Sequence, residues 1–265
     1  MKMGSILAKA VAFGVANALL LGGMASAAEI QVMLSGGFST AYRDLVPEFE
    51  RATGHKVTTS AGASMGGAPD SIPVRLERGE HADVLIMAAV ALDGLIKDGK
   101  AMAGSRVDLA RARIGMVVRA GAPKPDIGSV EALKRTLLAA KSIAVSASAS
   151  GVYLSKEMFP RLGIADQIKD KTKRVESERV ASVVARGETE IGFQQISELL
   201  PVPGVDLVGP LPPEVQVVTV FAAGIAARAK EPEAAGALIK FLASPTAIPA
   251  VTKSGLEPME GASKR

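Results

Sequence analysis

From Ile30 onward, short apolar runs of strand length alternate with stretches whose apolar positions recur at helical spacing. Ile30–Leu34 reads as the first strand. Ser39–Ala52 reads as a helix with Ala41, Leu45 and Phe49 on one face; Pro47 is expected to kink or restart it and Gly54 to end it. A strand over Val57–Ser60, a helix from about Ser71 to Arg78 and a buried strand over Ala82–Met87 follow. Further on, Ile114–Arg119 and Ser142–Val145 read as strands around an amphipathic helix, Ser129–Ala140, capped by Ser129. Val180–Arg186 leads through Gly187 into a strand over Glu190–Gln194, and Gln216–Ile225 is the last long β run. Glu231-Pro232 opens a final helix with Ala235, Leu238, Ile239 and Leu242 on one face. This rhythm predicts an α/β fold with a mainly parallel sheet.

A short echo suggests how the elements are grouped. Arg75-Leu76-Glu77-Arg78-Gly79-Glu80 runs into the strand at Asp83–Ile86, and Val183-Val184-Ala185-Arg186-Gly187-Glu188 runs into the strand at Ile191–Phe193. Each is a helix end, a Gly stop, an acidic turn and a strand, as two similar α/β lobes would produce.

The first 27 residues belong to a different kind of segment. Lys2 and Lys9 without an acidic residue, an apolar stretch over Ala10–Leu21 and Ala25-Ser26-Ala27 form the three parts of a cleaved secretory signal. A dozen apolar residues fall short of the ~20 that span a bilayer, so no membrane insertion is expected after cleavage. Removal at Ala27 leaves 29 basic against 27 acidic residues, a net charge of +2, and 3% of the chain is aromatic. Neither value supports a nucleic-acid partner. The 48% hydrophobic content supplies a sizeable core. The chain has no Cys and two His, which excludes disulfides, thiolate nucleophiles and cysteine-bound metal; no metal and no cofactor is expected.

Small polar residues concentrate at three places, each after a strand and before a helix: Ser35-Gly36-Gly37-Phe38-Ser39, Ser60–Gly67 with Ser64, Met65 and Gly66 at its centre, and Ser146–Gly151 with Ser148 and Ser150. In an open α/β sheet these ends face one crevice, where helix-start N–H groups and Ser hydroxyls suit an anion. One such cluster is equally explained by a helix cap and a tight turn; three in register point to a binding site. None is a nucleotide motif. Arg75 and Arg179 near helix starts are candidates for pairing with carboxylates, against the alternative of a solvated helix face. Tyr153 can turn its hydroxyl into the crevice or pack half-buried, and Gln194-Gln195 offers amides at a strand end. His55 and His81 lie in turns, and no Ser–His–Asp arrangement is present. The expectation is a gap between lobes that welcomes negative charge and is not lined with acidic groups.

With these residues in order, the chain resembles the type II periplasmic binding proteins near the molybdate-binding components of ABC importers. The likeness is carried by the Ser/Gly loop after the first strand, the second Ser-rich loop, Arg78-Gly79-Glu80 before a strand, Ser150-Gly151-Val152-Tyr153 and Gly187-Glu188 before Ile191-Gly192. It implies two α/β lobes, 28–113 with 222–265 and 114–221, joined by crossover strands with a hinge near Ile114–Val117 and Val218–Phe221. It also implies a small anionic ligand in the cleft, a monomer, a periplasmic location and a membrane permease as partner. Ligand-contacting positions would be Ser35, Gly36, Gly37, Phe38, Ser39, Ser64, Met65, Gly66, Arg75, Ser148, Ser150, Gly151, Tyr153, Arg179, Gln194 and Gln195. Where molybdate binders carry a site Ser this chain has Gly37, where they carry a site Tyr it has Gln195, and the Gly66–Pro73 loop is longer. Those departures suggest a larger anion, a di- or tricarboxylate. Leu34–Phe38, Ser148–Tyr153 and Gly192–Gln195 are also similar to periplasmic aconitate isomerases, enzymes on the same scaffold. That resemblance implies a cofactor-free 1,3-allylic proton shift, with Tyr153, Ser150 and Lys156 as candidates for the base. Binding and catalysis both remain open at this level.

Overall fold

The computed structural model describes residues 27–259. The signal sequence expected at the N-terminus lies outside them but for Ala27. In chain order, the first lobe contains β1 (Glu29–Leu34), α1 (Ser39–Thr53), β2 (Lys56–Ala61), α2 (Ile72–Glu77), β3 (Val84–Ala88), α3 (Ala89–Lys97) and β4 (Val107–Ala112). The chain then crosses at Arg113 into β5 (Ile114–Arg119), α4 (Val130–Ala139), β6 (Ile143–Ser146) and α5 (Ala149–Tyr153). A π turn, Leu154–Met158, carries α5 into α6 (Phe159–Arg161), followed by α7 (Ala165–Ile168), β7 (Thr172–Val175), α8 (Val180–Ala185), β8 (Ile191–Gln195), α9 (Ile196–Leu199) and β9 (Val205–Pro210). A second crossing returns to the first lobe with β10 (Thr219–Ile225), α10 (Pro232–Leu242), α11 (Ile248–Lys253) and β11 (Glu257–Pro258).

The two sheets have strand orders β11-β4-β10-β3-β1-β2 and β7-β6-β8-β5-β9. Both are mixed, where the sequence predicted a mainly parallel arrangement. Parallel pairing holds in β2-β1-β3 and β7-β6-β8, which are linked through helices. The strands that carry the chain between lobes run antiparallel: β10 against β3 and β4, β5 against β8 and β9. A strand that returns from the other lobe has no crossover helix of its own and so escapes the geometry that enforces parallel neighbours. Five strands of each sheet thus repeat one arrangement. The echoed segments hold equivalent places in it: Gly79 (φ +81°) and Gly187 (φ +76°) both stop a helix in left-handed backbone.

Each sheet is buried on both faces, and the strand period of two assigns the residues. In the first lobe Ile30, Val32, Leu34, Val84 and Ile86 pack against α1, α10 and α11 side chains, while Met33, Leu85 and Met87 pack with Leu92 and Leu95 of α3. In the second lobe Ile143, Val145, Ile191 and Phe193 face Leu133, Leu137 and Phe159, and Val117 and Ala144 face Val180, Val183 and Val184 of α8.

Two local expectations change. α1 runs unbroken through Pro47; Arg43 and Pro47 lie on its exposed side, where water can serve the carbonyl that the proline leaves without a donor. β10 begins at Thr219 and not at Gln216. The Gln216 amide is engaged elsewhere: Oε1 accepts from Ile114 N–H and Nε2 donates to Ile114 C=O, both at 2.9 Å, imitating a strand neighbour at the crossover.

Asp83 is the main buried polar tie of the first lobe. It is 1% exposed and accepts from the N–H of Gln31 (2.8 Å), Lys230 (2.7 Å) and Glu231 (3.1 Å), joining β1 to the start of α10. Asp83→Ala leaves those donors without their acceptor and should cost about 3 kcal/mol, read as a fall in the thermal unfolding midpoint.

Candidate functional site

A cavity of about 600 Å³ lies between the lobes. Its first-lobe wall comes from the β1–α1 turn (Leu34, Ser35, Gly36, Ser39), the α1 face at Tyr42, Arg43, Val46 and Pro47, the end of β2 with the loop that follows, and Asp70. Its second-lobe wall comes from Ser146–Ser148, Val175–Arg179, Gln194 and Glu198. The strand carboxyl ends of both lobes therefore converge on one gap.

The serines are aimed by chains of hydrogen bonds. The Ala88 N–H donates to Ser64 Oγ at 2.9 Å, so the Ser64 proton goes to Ser35 Oγ at 2.7 Å. With its oxygen accepting that bond, Ser35 keeps its own proton for an acceptor in the cavity. Ser64, 1% exposed, thus sits behind the wall and orients Ser35. Ser39 Oγ donates to the Gly36 carbonyl (2.7 Å) and accepts from Arg179 Nη2 (3.0 Å), a bond across the gap between lobes.

Arg179 and Glu198 are the charged groups of the second-lobe wall that are not paired with a neighbour of opposite charge within 4 Å among the described residues. No ion pair within 4 Å joins them among the described residues. Burial disfavours the charged form of Arg179, Glu198 supports it and Arg43 opposes it. Such an incompletely compensated guanidinium attracts an anion. Burial pushes the Glu198 carboxyl up to about 7, while the Arg179 charge and the Gln194 amide pull the other way. Gln194 Oε1 accepts from Val180 N–H at 2.8 Å, which leaves Nε2 to donate to Glu198 Oε1 at 2.9 Å.

Four carboxylates line the cavity, against the expectation that acidic groups are absent. Two are neutralised by partners: Glu176 pairs with Arg174 (3.1 Å) and Glu178 with Arg186 (2.9 Å), whose hydrogen bonds hold Glu178 below the usual carboxylate range. Glu198 is partly protonated near neutral pH. Asp70 presents a buried Oδ1 without a partner.

Of the residues singled out from sequence, Ser35, Gly36, Ser39, Ser148, Arg179 and Gln194 line the cavity. The others do not, for distinct reasons. Phe38 is fully buried in the first-lobe core, and a Cβ on Gly37 would overlap the Phe221 ring. Met65 and Gly66 sit on a loop that reaches over to Ala147 in the other lobe. Arg75 binds Glu80 (2.8 Å), Ser60 Oγ (3.0 Å) and the Ala61 carbonyl (3.2 Å), bracing the loop from behind. Gln195 donates to Thr219 Oγ1 (2.8 Å) beside the second crossover.

The three candidates for a base also lie elsewhere. Ser150 pairs with Ser146 Oγ (3.0 Å), and Gly151 packs on the Ser146 backbone. Tyr153 donates to the Val215 carbonyl (2.9 Å) within the second-lobe core, and Lys156 is exposed on the π turn. The entry to α5 is wound so tightly on β6 that the helix face bearing Ser150 and Tyr153 turns inward. Glu198, Arg43, Tyr42 and Asp70 went unnoticed in the sequence. The available signal for Glu198 was its place just after a strand end, in the first turn of α9.

Because its folded pKa lies above the ordinary value, Glu198 favours the folded state fully below about pH 4.5, and this contribution is lost as pH rises through about 7. Glu198→Gln should therefore match the wild type at pH 4 and exceed it in stability by about 3 kcal/mol at pH 8, measured by unfolding at both values.

Comparison with known proteins agrees with this architecture. The sequence profile described as bacterial extracellular solute-binding protein matches residues 30–257. An aconitate isomerase of a Pseudomonas species is 46% identical over 230 residues, covering 87% of this chain and 88% of that protein. A molybdate-binding protein of Azotobacter vinelandii is 28% identical over 251 residues, covering 89% and 92%. Among solved structures, the sulfate-binding protein SubI of Mycobacterium tuberculosis H37Rv superposes with a TM-score of 0.70 at 20% identity, covering 89% of this chain and 88% of that one. A two-lobed fold with its cavity at the converging strand ends, matched by the profile over nearly all the described residues, makes the chain a member of the bacterial extracellular solute-binding protein family.

Proposed function

We propose that the protein is a periplasmic, monomeric aconitate isomerase, which binds the tricarboxylate between its lobes and moves one proton along its allylic system. The observation that carries this reading is Glu198: a carboxyl with its proton affinity raised to about 7, facing an anion-attracting cleft. A receptor that only holds anions gains nothing from a carboxylate beside its ligand, whereas a proton-transfer catalyst needs a group that both takes and returns a proton near neutral pH. The identity of 46% to an aconitate isomerase supports the same assignment.

In this mechanism Arg179, the Ser35 hydroxyl and Arg43 hold the substrate carboxylates. Unprotonated Glu198 removes a proton from the methylene carbon next to a carboxylate. The carbon–hydrogen electron pair becomes the new double bond, the old double bond shifts its pair to the far allylic carbon, and the charge spreads onto the flanking carboxylates. Arg179 and Ser35 stabilise that charge as it develops. Glu198, whose acquired proton exchanges with solvent in the open cleft, then delivers a proton to the far carbon, giving the isomer. Atoms and electrons balance without any redox partner.

A second reading follows from the family itself: capture of a di- or tricarboxylate for the membrane permease of an ABC importer. The cross-lobe bond from Arg179 to Ser39 is what a closing receptor would also use.

Incubating the protein with trans-aconitate in deuterated water and following the 1H NMR spectrum separates the two. The expected result is cis-aconitate with deuterium at an allylic position; saturable binding without turnover or exchange would leave the importer reading. Glu198→Gln should lower kcat by about 10²–10⁴-fold, with wild-type kcat/KM rising with pH through about 7 as the base loses its proton. Arg179→Met should raise KM by about 10–100-fold. In a thermal-shift panel, tricarboxylates should raise the melting temperature. A response to molybdate, tungstate or sulfate with none to tricarboxylates would overturn both carboxylate readings.

A further inference from the structure

At Gly36 of the first lobe the space of a missing side chain is filled by a carboxylate of the second. A Cβ built there would overlap Oε1 of Glu198, with Cδ at 3.2 Å and Cγ at 3.7 Å, and no other atoms are among its nearest neighbours. The backbone gives no reason for glycine at this position, because Gly36 is not among the residues with positive φ. Space for the carboxylate is the reason that remains. The same residue is also linked to the Arg179 guanidinium of that wall, since its carbonyl accepts from Ser39 Oγ, which accepts from Arg179. Next to it, the Gly37 carbonyl accepts from Ser197 Oγ at 2.7 Å, so the seam is bonded at the residues adjacent to both Gly36 and Glu198.

We infer that Gly36 is a positioning residue for Glu198, one that lets the first lobe pack directly on the carboxylate of the second and so completes the proton-transferring group only when the lobes are together. This inference rests on the isomerase reading for its consequence and deepens it. The groups that face Glu198 are few. From its own lobe they are the Arg179 guanidinium and the Gln194 amide, with Glu178 turned away onto Arg186; from the first lobe they are Gly36 and, beyond Arg179, Ser39 and Arg43 on α1. Neither Gly36 nor Ser39 carries a charge, so what the first lobe adds at the contact is exclusion of water. Because the contact spans the two lobes, any opening of the cleft returns water to Glu198 and lowers its proton affinity.

The test is Gly36→Ala. The overlapping atoms are the end of a flexible side chain, so the methyl group is accommodated by swinging the carboxylate aside, and the variant should fold with a melting temperature close to wild type. With 13C-labelled glutamate, the carboxyl resonance absent from Glu198→Gln identifies Glu198. Its titration midpoint should lie near 7 in the wild type and fall by at least one pH unit in Gly36→Ala. In turnover of trans-aconitate, kcat should fall at least ten-fold while KM changes less than three-fold, and the pH midpoint of the rate should move the same way as the resonance. A purely structural glycine would alter stability and leave the titration in place. An unchanged Glu198 midpoint in Gly36→Ala overturns the inference, whatever the activity. A shifted midpoint together with full activity of Glu198→Gln supports the positioning role and removes the isomerase mechanism.

Discussion

A half-buried carboxyl held beside an arginine, with the backbone of the opposite lobe pressed against it, is the constraint around which the cleft is organised. Either charged group alone would be costly between two apolar bodies. Together they are kept apart enough to retain separate roles: Arg179 is bound by Ser39 and Glu198 by Gln194, so neither neutralises the other. The result is a site with a fixed cation for substrate charge and a neighbouring group poised between protonation states. Both depend on water being displaced by the other lobe.

The rest of the architecture supports that arrangement. The two sheets repeat a five-strand plan, and each plan places a strand–loop–helix turn at the same edge. Joining two such units through β4–β5 and β9–β10 points those turns at each other. The crossover strands must then run antiparallel to the strands beside them, which is why both sheets are mixed. The supporting side chains lie one layer behind the wall. Ser64 fixes the direction of the Ser35 proton, Arg75 braces the loop after β2, and Gln216 closes the crossover at Ile114. Each satisfies a backbone or hydroxyl group that would otherwise be free to turn, and together they hold the cavity wall rigid.

The contrast between Arg75 and Arg179 shows how far residue type alone can be read. Both lie near the start of a helix that leads into an echoed helix–Gly–strand unit. One braces its own loop through Glu80 and Ser60, and the other faces the gap. The difference is the acceptor set that each meets after folding, which local pattern does not encode. Tyr153 and Ser150 make the same point. Their position at the start of a helix after a Ser-rich turn was legible, but the inward rotation of α5 on β6 was decided by the close packing of Gly151 on Ser146.

By itself the sequence determined the order of many elements, among them β1, β2, β3, β5, β6, β8 and β10, because the periods of strands and helices are local properties of apolar patterning, while α3, β4, β7 and β9 were not read from it. It also determined that small polar residues gather at strand ends, since helix caps and tight turns require them there, and its motifs carried the resemblance to the family. Only the tertiary structure decided which of those residues look into the gap and which stand behind it, that the strands carrying the chain between lobes run against their neighbours, and that Glu198 meets Gly36. Those outcomes depend on the approach of groups far apart in the chain. Burial and its effect on a carboxyl arise from that approach, and no short stretch of sequence contains it.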